Sequence, residues 1–507
     1  MEMTNTSSLQ LTMCQQTALN DIIEFANDKD KTLFTLTGAA GTGKTTMISV
    51  VMSNIKYTFG VIVSAPTHKA RLVISEKTNI VSETVQSLLG LAPDVEIENY
   101  DINNPIFKQK SEPKLPFYKF IALDEGSMLN EGAFEAIRKL ALKSKTKILF
   151  IGDTFQLPPV KEENSTVFKL QNPEIEDWIG VEGITKLRTQ VRQKPDNPLS
   201  IILILLRLQI AQLLHDELEI EILERDFKIA KETFGLTDVK VSRENAFKDW
   251  ITRVPTAMTN TGKGYQIIRN VETFKDIIAQ DFTTDSKSAK ALAFTNEKVS
   301  EYNKFIRQTL FNTDELLVKG DILLCYKTMR RDKENICINS EEYEVTTLRE
   351  SEGYGIPTYE IMIKPLRGGF EEEINIVKDD YKAFILKHEE MHSKARDNRN
   401  YWGSYYGFKN NFLLMEALNI KYKKDVLPDG VRHVQYRNLP GKDFDYGFAF
   451  TIHKSQGSTI PNIYVDGKDI SKIMSFPDID LHVKRLFFFR MLYTAISRAS
   501  NKAVIYF

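Results

Sequence analysis

Short, continuous apolar runs at residues 31–37, 60–64, 120–123 and 147–151 mark the first 180 positions, each closed by a Gly, Pro or acidic turn. Runs of that length, separated by helical stretches such as 46–53, predict strands of a parallel sheet flanked by helices. The rhythm breaks at 91–116, a polar segment with Pro93, Pro105, Pro113 and Pro116, which reads as an insertion projecting from the sheet. Long amphipathic helical patterns fill 187–289, and the apolar run 290–294 predicts a strand opening a second α/β unit. Within them, Ile201 to Leu206 with Leu208 and Ile210 predicts one buried helix; Arg207 interrupts it, well short of the roughly 20 apolar residues a membrane span needs. From 318 to 439 the pattern becomes that of a small β-domain, with strands expected at 320–326 and 344–348 and a helix at 379–394. An aromatic cluster follows, comprising Tyr401, Trp402, Tyr405, Tyr406, Phe408 and Phe412. After Asp443 the α/β rhythm returns.

A length of 507 residues allows about two to four domains. With 42% apolar and 27% charged residues, disordered, collagen-like and membrane-embedded classes are set aside. Lys plus Arg (67) nearly cancels Asp plus Glu (68), so the chain is no uniformly basic nucleic-acid coat, and any such contact needs a local channel. Three scattered cysteines, Cys14, Cys325 and Cys337, fit neither a disulfide framework nor a four-thiolate zinc site, and point to a reducing compartment. The polar first ten residues carry no secretory pattern, and a cytoplasmic location is expected, the host cytoplasm if the chain is viral.

Chemistry concentrates at strand ends. Gly38-Ala39-Ala40-Gly41-Thr42-Gly43-Lys44-Thr45 follows the first predicted strand and precedes a helix at Thr46. Glycines let backbone N–H groups curl around phosphates, Lys44 suits the β and γ phosphates, and Thr45 offers a hydroxyl to Mg²⁺. The strand at 120–123 ends in Asp124-Glu125, one carboxylate for Mg²⁺ and one to align or deprotonate water; a helix N-cap is the plainer use of Asp there. Gly152-Asp153-Thr154-Phe155-Gln156-Leu157-Pro158-Pro159-Val160 closes the next strand, with Gln156 suited to sensing a γ-phosphate, though a Pro-terminated turn has the same look.

These motifs, with Gln15 ahead of them, Ala65-Pro66-Thr67-His68-Lys69-Ala70 between them, and Ala293-Phe294-Thr295-Asn296, Thr451-Ile452-His453-Lys454-Ser455-Gln456-Gly457-Ser458 and Tyr493-Thr494-Ala495-Ile496-Ser497-Arg498-Ala499 after them, stand in the order found in superfamily 1 helicases. The wording resembles the B-type branch of RecD and phage Dda. The resemblance implies an α/β fold of two RecA-like P-loop motor domains, with a small pin insertion and an SH3-like β insertion. Mapped here, that gives motor one at 1–90 and 117–180, the pin at 91–116, motor two at 181–317 and 440–507, and the SH3-like insertion with a helical extension at 318–439. It implies an ATP-dependent DNA helicase and single-strand translocase moving 5′ to 3′ in replication, recombination or repair; an ATP-switched DNA-binding module without processive unwinding is the rival, and an RNA helicase a further one. ATP and Mg²⁺ are the implied cofactors. The implied partners are single-stranded DNA, a forked duplex and replication or recombination proteins, with no membrane and a working monomer.

Residue by residue, the resemblance assigns catalysis to Lys44, Glu125, Gln156, Arg192 and Arg498, the arginines acting as fingers across the domain gap, with Arg188 a competitor to Arg192. Nucleotide contacts fall on Gln15, Gly38, Ala39, Ala40, Gly41, Thr42, Gly43, Lys44, Thr45, Thr46, Gln456 and Gly457, and Mg²⁺ on Thr45 and Asp124. DNA contacts fall on Pro66, Thr67, His68, Thr84, Ser87, Thr295, Asn296, Thr451, His453 and Lys454, with Tyr100 and Phe107 in the pin. Thr84-Val85-Gln86-Ser87 lacks the histidine usual in the family at that point. His388-Glu389-Glu390-Met391-His392 matches a zinc-protease pattern, but with no third ligand motif behind it the expectation is a solvated, charged helix face.

Overall fold

The computed structural model describes residues 10–57, 59–91, 109–159, 162–171, 179–189, 197–236, 254, 256–331, 334–378, 381–422, 427–428, 431, 434 and 439–507. By packing these fall into two compact units, 1–270 with 455–507, and 271–454.

The first unit is built on a six-stranded sheet: β1 (Leu33–Gly38), β2 (Val61–Ala65), β3 (Ser82–Thr84), β4 (Phe120–Leu123), β5 (Lys147–Gly152) and β6 (Gly183–Leu187), in the order β3-β2-β4-β5-β1-β6. All pairings are parallel. The apolar runs are continuous because both faces are covered. Alternate residues Leu33, Ile62, Ile121, Ile148 and Phe150 pack with Phe134 and Ile137 of one helix. Their neighbours Phe34, Leu36, Val63, Phe120 and Leu149 pack on the other face with Ile22 and Phe25 and with Met47 and Val51. The helices involved are α1 (Met13–Asn27), α2 (Lys44–Asn54), α3 (His68–Thr78), α4 (Val85–Leu88) and α5 (Glu131–Ser144). β3, polar and short, and β6, with Thr185 and Lys186 in it, are edge strands that the apolar pattern does not predict.

Further along, α6 (Leu199–Leu213) and α7 (Glu217–Phe234) pack on each other, and α6 also packs on the helix Leu481–Ile496. α6 is the expected buried helix, its Arg207 only 3% exposed because Glu219 of α7 pairs with it at 3.3 Å and Lys186 joins the same carboxylate at 2.6 Å. Strands Ile460–Asp466, Ala499–Tyr506 and Gly264–Ile268 run parallel side by side, and the short Ala257–Met258 lies antiparallel to the last. Those two strands between 257 and 268 interrupt a stretch expected to be helical.

In the second unit, Ala289–Ala293 pairs in parallel with Ala449–Thr451, as the run at 290–294 predicts. Five antiparallel strands form a separate sheet, in the order Glu372–Val377, Ile356–Pro365, Glu342–Gly353, Ile322–Cys325 and Phe444–Tyr446. Helices Tyr381–Asp397 and Trp402–Asn411 pack beside it. The strand expected at 344–348 extends to Gly353 because Tyr354 and Gly355, both with positive φ (57° and 71°), make a two-residue hairpin turn. No helix among the described residues is long and apolar enough to cross a membrane. Tyr100 and Phe107 of the expected pin lie outside the described residues, as does Arg192.

Candidate nucleotide site

In a parallel sheet with helices on both faces, ligands gather outside the carboxyl ends of the strands. Here β4, β5 and β1 are adjacent, so the chemistry at their ends meets at one edge. A cavity of about 580 Å³ opens there, lined among others by Ala40, Gly41, Gly43, Lys44, Thr45, Thr46, Asp124, Glu125, Gln156, Gly457 and Arg498.

The loop after β1 turns through Gly41 (φ 85°) and Gly43 (φ 88°), a left-handed backbone that side chains resist, and Gly43 caps α2. A Cβ at Gly38 would meet Thr42 Oγ1 at 2.6 Å. Thr42 Oγ1 donates to the Ala39 carbonyl at 2.9 Å, and Lys44 Nζ donates to the carbonyls of Gly38 (2.7 Å) and Ala39 (3.1 Å). Gln15 braces this loop from behind: its Nε2 donates to the Thr42 carbonyl at 3.2 Å, while its Oε1 accepts the Thr12 N–H in the capping box of α1. Gln15 is thus buried against the loop and does not line the cavity.

Asp124 follows β4, its N–H donating to the Ser64 carbonyl at 2.9 Å and its Oδ1 accepting the Glu125 N–H at 2.9 Å. Burial first, and the Glu125 carboxylate second, push the Asp124 carboxyl up to about 6. Two adjacent carboxylates in such surroundings suit a divalent cation, whose charge offsets theirs. Glu125 has a left-handed backbone (φ 54°, ψ 37°), which costs a side-chain-bearing residue about 1–2 kcal/mol and lets the chain swing into the turn Gly126–Met128.

From the end of β5, Asp153 is 1% exposed, its Oδ1 accepting the Phe155 N–H at 3.0 Å. Gln156 Nε2 lies 3.4 Å from Asp153 Oδ2, and Gln156 Oε1, buried, has no hydrogen-bond partner among the described residues. Arg498 stands just beyond the helix Leu481–Ile496. Its guanidinium donates to the Thr494 carbonyl (3.2 Å) and to Ser497 Oγ (3.0 Å from one terminal nitrogen), and no carboxylate among the described residues pairs with it. Gly457 brings the preceding motif in; a Cβ there would sit 3.9 Å from Glu125 Oε1. Gln456 is 9% exposed, with a buried Nε2 that makes no hydrogen bond among the described residues. Arg188 is exposed and is not among the lining residues.

The positions expected to grip DNA cap helices. In the first unit, Thr67 Oγ1 accepts the Ala70 N–H (3.1 Å) to start α3, and Thr84 Oγ1 accepts the Ser87 N–H (3.2 Å) to start α4. Gln86 Nε2 ties the two loops by donating to the Pro66 carbonyl at 3.0 Å, and His68 is the first residue of α3. In the second unit, Thr295 Oγ1 accepts the Lys298 N–H (3.3 Å), Asn296 opens that helix, and Thr451 ends its strand. Burial lowers the His453 imidazole, and Lys454 Nζ sits over the Tyr326 ring at 3.4 Å.

The zinc-protease pattern needs a correction. His388 is not on a solvated face: it is 1% exposed, within hydrogen-bond distance of Tyr405 (Nε2 to hydroxyl 3.0 Å) and against the Phe384 ring. Only Glu389 and Glu390 keep the charged character, pairing with Arg396, Lys387 and Lys394. The residues 401–412 supply the partners, with Trp402, Tyr405 and Tyr406 packed ring on ring and Phe408 stacked on Phe384.

Sequence reading missed Tyr493, whose hydroxyl accepts the Ala40 N–H at 3.0 Å and donates to Asp153 Oδ2 at 2.8 Å. It also missed Lys77, Ser458 and Thr459 in the cavity lining. Tyr493 stands in a motif read for its arginine alone.

Residues 10–197 fit the family model described as an AAA domain, and 446–506 fit that of the UvrD-like helicase C-terminal domain. The chain is 22% identical over 541 aligned residues to an uncharacterized protein of Acanthamoeba polyphaga mimivirus, covering 96% of this chain and 98% of that one. It is 24% identical to the ATP-dependent DNA helicase dda of Enterobacteria phage T4 over 447 residues, 80% of this chain and 88% of that one. Among solved structures, the Pif1 helicase from Candida albicans aligns over 98% of this chain and 94% of that one, with a TM-score of 0.47 and 15% identity. With its two matched domains bracketing the site and its motifs in the family order, the chain is similar to the superfamily 1 helicases.

Proposed function

We propose that this chain is an ATP-dependent DNA helicase that moves 5′ to 3′ along single-stranded DNA and separates a forked duplex, acting as a monomer with Mg²⁺ in replication, recombination or repair. One observation carries the reading: Lys44, Asp124, Glu125, Gln156 and Arg498, drawn from four separated motifs, line a single cavity. Loop N–H groups and Lys44 bind the phosphates, and Thr45 with Asp124 holds the metal. Mg²⁺, when bound, would be held by Thr45 and Asp124 and would offset the phosphate charge. Glu125 orients a water and takes its proton as the water oxygen attacks the γ-phosphorus and the bond to the β,γ-bridging oxygen breaks. Gln156 holds that water and the γ-phosphate, while Arg498, with Arg192 as a second finger, binds the developing charge. Pro66, Thr67, His68, Thr84, Ser87, Thr295, Asn296, Thr451, His453 and Lys454 are proposed to track the DNA backbone. Thr67 and Thr84 accept at Oγ1 as caps, so each hydroxyl hydrogen can be donated to phosphate, a contact that carries no sequence preference.

The test is ATP-driven strand separation on tailed duplexes, with Lys44→Ala as the inactive control. ATP-gated DNA binding without strand separation would favour a nucleotide-switched binding module instead.

A further inference from the structure

The helix Leu481–Ile496 reaches the nucleotide cavity through Arg498, but it also holds the motif after β5 at other points. Thr494 Oγ1 accepts the Leu157 N–H at 3.1 Å, and the Arg490 guanidinium donates to Asn164 Oδ1 at 2.7 Å. Tyr493, 1% exposed and edge-on to Phe155 at 6.0 Å, makes the contact with the most chemical consequence. Its hydroxyl bridges the phosphate-binding loop and Asp153.

A buried carboxylate needs donors around it. Asp153 Oδ2 has two from side chains, the Tyr493 hydroxyl at 2.8 Å and Gln156 Nε2 at 3.4 Å. The tyrosine makes the short bond, so the glutamine amide is held only loosely. Its Oε1 has no hydrogen-bond partner among the described residues, in a residue that lines the cavity. With the hydroxyl removed, Gln156 becomes the sole side-chain donor to that oxygen among the described residues, and its amide is drawn towards Asp153. The Ala40 N–H loses the same acceptor.

We infer that Tyr493 is a positioning residue for ATP hydrolysis, its hydroxyl setting Gln156 through Asp153 while registering the phosphate-binding loop at Ala40. The inference rests on the ATPase reading above and adds to it a residue that touches neither phosphate nor water. It also ties the helix Leu481–Ile496, which Arg498 follows, to both the Gln156 loop and the phosphate-binding loop.

The test uses the full chain with Tyr493→Phe, Gln156→Ala, the double variant, and Thr494→Val. Thr494→Val removes another buried hydrogen bond between the same helix and the same loop, so it carries the structural cost alone. Tyr493→Phe is expected to lower kcat roughly 10-fold, as loss of an orienting partner does elsewhere, with the KM for ATP within about 2-fold because ground-state contacts remain. Thr494→Val lowers the melting temperature comparably and keeps kcat within about 2-fold. The double variant is within about 2-fold of Gln156→Ala alone, since the part of the Tyr493 effect that runs through Gln156 is already lost. The inference is overturned by a Tyr493→Phe kcat within about 2-fold of wild type, by equal kcat losses in Tyr493→Phe and Thr494→Val, or by losses that multiply in the double variant. Wild-type hydrolysis that DNA fails to stimulate counts against the helicase reading alone, because the same comparison can be made on basal turnover.

Discussion

Replacing Arg498 by Ala isolates the proposed finger from the rest of the site. The side chain is 6% exposed, and its bonds go to neutral oxygens, the Thr494 carbonyl and Ser497 Oγ. Its charge is therefore not committed to a local carboxylate and remains to be used in the cavity it lines. A charge-assisted hydrogen bond is worth about 1.5–3 kcal/mol, so two from the guanidinium to γ-phosphate oxygens in the transition state supply about 3–6 kcal/mol. At ~1.4 kcal/mol per tenfold, that is a loss of about 10² to 10⁴ in kcat. The KM for ATP should rise no more than about 3-fold, because loop N–H groups and Lys44 carry ground-state binding. Arg498→Lys keeps the charge but loses the fork, and is expected to recover about one hydrogen bond's worth, roughly 10-fold over Ala. Steady-state ATP hydrolysis with saturating single-stranded DNA, alongside direct binding of a fluorescent ATP analogue, separates the two terms. A kcat within about 3-fold of wild type, or a loss confined to KM, would refute the finger assignment.

Two further outcomes follow from the geometry. Burial, then Lys409 and His392, lower the His388 imidazole from its ordinary 6.5 to about 4. The folded protein therefore keeps it neutral while the unfolded chain takes up a proton, and stability present above pH 6.5 is lost as pH falls towards 4. The loss is about 2 kcal/mol at pH 5 and at most about 3 kcal/mol. His388→Gln should flatten that part of the pH-melting curve, and an unchanged acid slope would contradict it. Gln15→Ala removes the brace on the Thr42 carbonyl, a bond worth about 1 kcal/mol, and should raise the KM for ATP about 5-fold with kcat nearly unchanged; a kcat loss larger than the KM change would place Gln15 in the chemistry instead.

The central strands were legible because two-sided burial writes itself as unbroken apolar runs, and the phosphate-binding loop because φ above +80° at Gly41 and Gly43 demands glycine. Edge strands such as β6, with Thr185 and Lys186 in it, carry no such mark. The long hairpin through Tyr354 was hidden because a tyrosine occupies a turn position where Asn is expected. Lys44, Asp124, Glu125 and Gln156 announced themselves by residue type at strand ends. Tyr493 did not, since its role depends on Ala40 and Asp153, residues more than 300 positions away that only the fold brings to it. The same holds for His388, whose burial is decided by Tyr405 and Phe384 rather than by its charged neighbours.

The most direct measurement is strand separation by the wild-type chain with ATP and Mg²⁺ on forked, 5′-tailed and 3′-tailed DNA duplexes, with Lys44→Ala in parallel. The account predicts ATP-dependent separation of the forked and 5′-tailed substrates, little on the 3′-tailed one, and none by Lys44→Ala. Separation by Lys44→Ala at the wild-type rate, or no separation of any substrate by a wild-type chain that binds DNA and ATP, would contradict it.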